Sequence, residues 1–374
     1  FLKLVPRKTH RPRTVVRNFI YQTFMKKNLD KYLDKILNEK ETIKKIDLAE
    51  QYSLTEIPEF IGQCSQVEKL DISYTGISEI PDFVFRLPKL KELNFLGCRN
   101  LERQPIAFNS QQPLEKLSIY IGKNQDIPNE IVKLTSLKSL TISGELKEIP
   151  KVIYNLPTIE ELEIFDTNIS TVATDIEKLK ALKKISFWQA LFSLSGKPTV
   201  LNLDEIVLNL SKCSNLRELQ LNSNGIKEIP ESIQLLSQLQ VFSAQENLLV
   251  SYPDSLYKLT NLKELNLGTN QLKKVSKGIG NLKQLKVLKL NSNWKNSIDT
   301  KNLFDEITEL SNLEILELWS CQSVRSIPET ISSLKKLKKL DLDNNLLEKL
   351  PKSILTMTHL KTLRVSTNKI SAEE

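Results

Sequence analysis

The sequence predicts an α/β solenoid, a stack of short coils whose strands lie side by side in one curved parallel sheet. Three observations carry this. First, an apolar pattern L-x-x-L-x-L-x-x-N restarts at Ile43, Val67, Leu90, Leu114, Leu137, Ile159, Leu182, Leu216, Leu239, Leu262, Leu285, Leu313, Leu337 and Leu360, with gaps of 22 to 28 residues and one of 34. Second, Asn recurs at the ninth place of these units, as at Asn224 and Asn270. Third, Ile-Pro pairs follow at 57–58, 80–81, 127–128, 149–150, 229–230 and 327–328. Fourteen starts in phase make internal repetition the organising fact of the chain.

Each part of the unit has a physical reason. The last two apolar places of L-x-x-L-x-L alternate with period two, as in a strand with one buried face. An Asn at the ninth place can bond the backbone of adjacent turns, replacing bonds the irregular segment cannot make. Pro after Ile fixes φ where the chain leaves the strand, and its missing N–H costs nothing off the ladder. One coil cannot bury its leucines alone, so stability is a sum of nearest-neighbour terms.

These residues resemble the leucine-rich repeat family. Leu216-x-x-Leu219-x-Leu221-x-x-Asn224 and Leu262-x-x-Leu265-x-Leu267-x-x-Asn270 match its strand motif residue for residue. The Ile-Pro pairs resemble the 23-residue intracellular subclass, which has bacterial members. Two 24-residue units, around Leu96-Gly97-Cys98 and Ser320-Cys321, resemble repeats of plant disease-resistance receptors. The resemblance covers residues 43–374. It implies a right-handed solenoid of about fourteen coils that recognises a protein or peptide on its concave face without catalysis.

The elements follow in order. Residues 1–27 hold eight Lys or Arg and no acid, so the net charge of +8 sits at one end. Residues 1–13 form a basic tail. Arg7, Lys8, Arg11 and Arg13 are its candidate phosphate contacts, for nucleic acid or an anionic membrane. Residues 14–42 read as a helical cap, with Val15, Phe19 and Ile20 on one stripe and Leu29, Tyr32, Leu33 and Ile36 on a second. A cap covers the first leucines of a solenoid. Residues 43–374 are the solenoid, with insertions near 191–211 and 294–310; Leu203 to Leu210 and Thr300 to Leu310 read as short helices inside them. Starting at Phe1 and stopping just past the fourteenth strand motif, the chain reads as a piece of a longer protein.

Composition excludes much chemistry. Two His, no C-x-x-C pair, and ten Gly outside any phosphate-cradling arrangement leave no catalytic constellation, metal site or cofactor site. No small-molecule substrate is expected. Cys64 and Cys213 stand three places before a repeat start, where other units have Leu, and Cys98 and Cys321 stand in the Asn place, so all four read as inert buried thiols. Without Cys-paired caps, a cytoplasmic setting is expected. Two alternatives stand beside recognition: the binding part of a bacterial effector acting in a host cell, its catalytic domain outside this chain, and association with nucleic acid or membrane through the basic N-terminus. Lys- and Ile-rich usage points to an AT-rich bacterial source.

The concave surface can be read from the seventh residue of each unit. There the large side chains are Leu96, Tyr120, Phe165, Trp188 and Trp319, the first four within repeats three to seven. Ile121 is expected to extend the patch, with Glu163 and Asp166 as a charged rim. An apolar patch on a wet face marks a partner surface; the competing reading is that the rings pack on one another and fill the groove. Trp294 beside Trp319 is a weaker second candidate. Gln220, Asn222, Gln245, Asn266 and Asn291 read as ordinary solvated surface.

Overall fold

A computed structural model describes residues 29–101, 108, 110–123, 125–189, 200–273, 275, 277–293, 300–322 and 324–370. The chain divides into two compact units, one within residues 9–185 and the other within 186–374. The basic tail with Arg7, Lys8, Arg11 and Arg13, the first half of the expected cap, and Trp294 lie outside the described residues.

The first unit contains β1 (Lys45–Asp47), β2 (Lys69–Asp71), β3 (Glu92–Asn94), β4 (Lys116–Ile121), β5 (Ser139–Gly144) and β6 (Glu161–Phe165). They pair in parallel and in chain order, with Leu70, Leu93, Leu117, Leu140 and Leu162 opposite one another. These leucines are buried, as the period of two requires. Ahead of them residues 29–38 are helical and are labelled α1. The helix ends at residue 38, four residues short of the expected end of the cap at 42, and residues 39–42 form a turn. α1 buries Leu29 and Ile36, and Tyr32 Oη accepts from the Asp47 backbone N–H at 3.1 Å. β7 (Lys184–Trp188) begins in the first unit and ends in the second.

The second unit contains β8 (Glu218–Gln220), β9 (Val241–Ser243), β10 (Glu264–Asn266), β11 (Val287–Lys289), β12 (Ile315–Glu317), β13 (Lys339–Asp341) and β14 (Thr362–Arg364). These too pair in parallel and in chain order, with Leu219, Phe242, Leu265, Leu288, Leu316, Leu340 and Leu363 in register. Both long repeats carry a helix where one was expected: α2 (Leu203–Leu210), and α3 (Thr300–Ile307), which stops three residues short of Leu310. The Asn202 side chain caps α2 by accepting from Glu205 N at 3.4 Å, which satisfies one otherwise open N–H. α2 buries Ile206 and Leu210, and α3 buries Leu303, Phe304 and Ile307.

The Ile-Pro pairs do a different job from the one expected. Proline stands not at the strand exit but immediately before a short 3-10 turn, as at Pro58, Pro81, Pro128, Pro150, Pro230 and Pro328. Its carbonyl accepts from the third residue on: Ile61, Val84, Ile131, Ile153, Ile233 and Ile331 donate at 3.0–3.1 Å. That third residue is the buried aliphatic of the turn. A fixed φ at Pro sets the turn, and the missing N–H would have had no turn partner.

The strand is ended by a left-handed residue at the eighth place. Glu50, Tyr74, Asp166, Ser223, Glu246, Thr269, Ser292, Ser320, Asn344 and Thr367 all have φ between 48° and 62°. Single left-handed residues are costly without Gly, so the surroundings must enforce them. Enforcement is visible in the ladder, where for example Thr269 N–H still reaches Asn291 O at 2.7 Å and Ser292 N–H reaches Trp319 O at 2.9 Å. The bend then turns the ninth residue inward. In the second unit that residue is a buried Asn at 224, 247, 270, 293 and 345, with Cys321 in the same place, and each of these carboxamides donates to a carbonyl of the preceding coil at 2.8–2.9 Å.

The first unit lacks this ladder. Its ninth residues are Gln51, Thr75, Cys98, Gly122, Glu145 and Thr167. Thr75 Oγ1 and Cys98 Sγ each donate to Ile72 O, at 2.7 and 3.1 Å. Three of its strands are also longer: β4 and β5 have six residues and β6 five, against three in each of β1–β3 and β8–β14. Backbone pairing there replaces the side-chain ladder.

Candidate functional site

Of the expected patch residues, the longer strands carry Tyr120 on β4 and Phe165 on β6. Tyr120 pairs in register with Ser143, and Ser143 with Phe165, so the two rings stand two strands apart on one row, about 10 Å between backbones. Leu96 occupies the equivalent place beyond β3, its N–H held by Asn94 Oδ1 at 3.1 Å. Leu96 and Phe165 are half-buried. Tyr120 is only 9% exposed, less than a ring on a wet face should be. Ser143 between the rings is 4% exposed despite its small side chain, so its neighbours cover it.

Ile121 does not extend the patch. It is fully buried, because β4 continues through it and alternation turns the side chain to the core. The rim is also smaller than expected. Glu163 accepts from Thr141 Oγ1 at 3.2 Å, and Glu160 pairs with Lys183 at 2.7 Å. Asp166 differs. It is half-buried and left-handed with φ 48°, and its carboxylate has no hydrogen bond or ion pair within 4 Å among the described residues. Burial pushes its carboxyl above the usual range, with Arg99 pulling the other way. Burial likewise raises the Tyr120 and Tyr74 phenols, and Arg99 opposes both shifts.

Tyr74 and Arg99 were not legible as site residues. Tyr74 sits at the eighth place, which the left-handed bend turns out beside the row; the Cβ that Gly97 lacks would come within 2.4 Å of its ring. Arg99 lies just past the bend in the third unit and is exposed. The signal available was Gly97 itself, at the same eighth place one repeat later. In the first unit the structure thus assembles Leu96, Tyr120, Phe165 and Asp166 with Tyr74 and Arg99: aromatic surface, one desolvated acid and one exposed base.

The second unit holds the remaining candidates separately. Trp188 ends β7 and is 45% exposed. Trp319 is half-buried beyond β12, and its carbonyl serves the coil before it. The polar face between them is not ordinary solvated surface. Asn266 and Asn291 are buried, Ser243 Oγ and Gln245 N–H both donate to Asn222 Oδ1, at 2.6 and 3.0 Å, and Asn266 donates to Gln245 Oε1 at 2.7 Å. Close strand spacing lets these amides satisfy one another and shut out water. Toward the end, Lys339 bridges Glu317 and Asp341 at 2.5 and 3.8 Å, and Arg364 approaches Asp341 at 3.6 Å. No group of three His, Cys, Asp or Glu placed to hold a metal occurs among the described residues, and no described helix is long and apolar enough to cross a membrane.

Three family models agree with this geometry. A leucine-rich repeat region matches residues 199–322, a leucine rich repeat matches 311–370, and a BspA type leucine rich repeat region matches 20–111. The chain is a leucine-rich-repeat protein. It is similar to a solved leucine-rich-repeat protein of Leptospira interrogans, with TM-score 0.55 and 28% identity over 91% of this chain and 94% of that one. The Drosophila Toll–Spatzle complex gives TM-score 0.53 at 20% identity, covering 85% of this chain and 46% of that one, a likeness of fold alone. Among curated proteins it is similar to a volume-regulated anion channel subunit of Xenopus tropicalis, 26% identical over 254 residues, 55% of this chain and 31% of that protein. A different volume-regulated anion channel subunit, from human, is 29% identical over 206 residues, 53% of this chain and 24% of that protein. This leucine-rich-repeat protein therefore spans less than a third of the length of these curated relatives. Repeats of this kind generally mediate protein–protein interaction, and domains built from them are typically non-catalytic binding scaffolds.

Proposed function

We propose that this leucine-rich-repeat protein is a recognition module that holds a protein or peptide on the outward strand face of residues 9–185. Leu96, Tyr120 and Phe165 supply apolar contact there, and Asp166, with Glu163 beside it, orients the partner. The observation that carries the reading is the Asp166 carboxylate, half-buried beside aromatic surface and without a hydrogen bond of its own among the described residues. A desolvated acid is costly until a donor meets it, and a partner's cation or N–H would do so. Trp188 and Trp319 are the corresponding contact candidates of the 186–374 unit. Backbone held by stacked coils loses little entropy on binding, which favours affinity from a small patch. The reading places the chain in a cytoplasm, supported by four buried cysteines that form no disulfide.

The test is retention of a partner from source-cell lysate by the wild type and by a Tyr120→Ala/Phe165→Ala/Asp166→Asn variant, at low and moderate salt. Loss of one defined protein by the folded variant, with retention by the wild type at both salts, supports the reading. Retention by both, abolished by salt, would falsify it and shift binding to the basic residues 1–27.

A further inference from the structure

The N-terminal edge of the strands in the 186–374 unit carries a charge pattern that the strand-face reading does not use. The residue just before each strand is Lys263 for β10, Lys286 for β11, Glu314 for β12, Lys338 for β13 and Lys361 for β14. They stack in register, each backbone N–H donating to the carbonyl of the one before at 2.8 Å. The row therefore advances about 4.8 Å per coil.

Some of these charges cancel and others do not. Glu314 stands between Lys286 at 3.8 Å and Lys338 at 2.5 Å, and Lys283 meets Glu309 at 3.3 Å. By contrast, Lys258 donates to Gln234 Oε1 at 2.7 Å, Lys263 to Gln240 Oε1 at 2.9 Å and Lys336 to Asn312 Oδ1 at 2.6 Å, all neutral acceptors. Lys335 and Lys361 are exposed. None of these five has a carboxylate within 4.0 Å among the described residues. Two basic clusters with no carboxylate within 4.0 Å among the described residues, Lys258 with Lys263 and Lys335 with Lys336 and Lys361, thus flank a middle in which Lys283, Lys286 and Lys338 share the carboxylates of Glu309 and Glu314.

We propose that this edge docks an extended acidic segment of a partner protein, with two acidic clusters about four residues apart. The spacing follows from geometry: β10 to β13 is three strands, about 14 Å, which an extended chain covers in about four residues. Charge complementarity selects a peptide over a nucleic acid. A phosphate backbone is uniformly negative and would set phosphates against Glu309 and Glu314, whereas a peptide can leave its middle uncharged. Nor do these lysines alternate with aromatic side chains on which bases could stack. An anionic bilayer would impose no spacing at all. This docking is independent of the Tyr120–Phe165 surface.

The experiment titrates the full chain with a fluorescein-labelled peptide bearing two Asp-Glu pairs four residues apart, read by anisotropy. A peptide of the same composition with the pairs adjoining serves as the comparison. The spaced peptide is expected to bind about tenfold more tightly, and Lys263→Gln/Lys361→Gln to remove that advantage, while Lys286→Gln, at a position that already faces Glu314, leaves it in place. Circular dichroism checks that each variant is folded, and the peptide comparison on wild type needs no variant. Equal affinity for the two peptides overturns the proposal, as does absence of binding. Tighter binding of a DNA duplex or of phosphatidylserine vesicles than of the spaced peptide also overturns it.

Discussion

The Asn247 carboxamide joins its own coil to the previous one: Nδ2 donates to Leu221 O at 2.8 Å. It also donates to Ala244 O at 2.9 Å, while Oδ1 accepts from the N–H groups of Asn224 and Ile226 at 3.0 Å each. Asn247→Ala therefore strands several buried backbone groups at once and should lower stability by roughly 2–4 kcal/mol. Asn247→Cys should cost less. Cys98 and Cys321 fill the same place and still donate through Sγ, to Ile72 O at 3.1 Å and Leu290 O at 3.6 Å. Urea unfolding followed by circular dichroism ranks the three proteins; equal losses for Ala and Cys would show that volume, not bonding, sets the cost.

Gly144 is the second prediction. It occupies the eighth place of the fifth repeat with φ 117°, and a Cβ there would lie 2.0 Å from Ile121 O. The obstacle is backbone in a paired strand, which cannot rotate away. Gly144→Ala should cost about 3 kcal/mol or more, and hydrogen exchange should report the loss at the β4–β5 amides. Unchanged protection there would mean that β4 shifts freely.

How far the sequence could lead is clear from particular residues. The strand leucines, α2 and the buried cysteines were legible because each sits in a phase that repetition makes visible. The left-handed eighth place was not. Glu50, Tyr74, Ser223 and Thr269 share no residue type, since the ladder and the inward ninth residue impose the conformation from outside. The same blindness hid Tyr74 and Arg99 from the site and made Ile121 look like surface. Tyr120 at the seventh place was found by phase, yet its burial depends on neighbours that phase does not specify.

The Cys321 thiol should be chemically silent in the folded protein. Burial pushes it up to about 12, against small opposing effects from the Ser292 and Asn293 backbone. Thiolate is the reactive form, so at mildly alkaline pH almost none is present and access is closed as well. Iodoacetamide followed by peptide mass spectrometry should find Cys321 unmodified in the native chain and alkylated in denaturant. Native-state labelling at a rate near that of a free cysteine would show local opening of the twelfth repeat.

Asp166→Asn should separate stability from recognition. Burial raises the folded-state carboxyl above its usual value, so the folded chain keeps this proton to a higher pH than the unfolded chain does. Protonated Asp166 is thus tolerated and ionised Asp166 is penalised. The wild type loses stability as pH rises from the ordinary aspartate value through the raised one, and the penalty stays constant above that window. Asn carries no such titration and accepts a left-handed φ more readily than most residues. The variant should unfold at a higher temperature than wild type at pH 7, with the gap closing toward pH 3. A variant less stable at pH 7 would mean that attraction to Arg99 outweighs burial. If stability rises while partner retention falls, the carboxylate is kept for recognition at the expense of the fold.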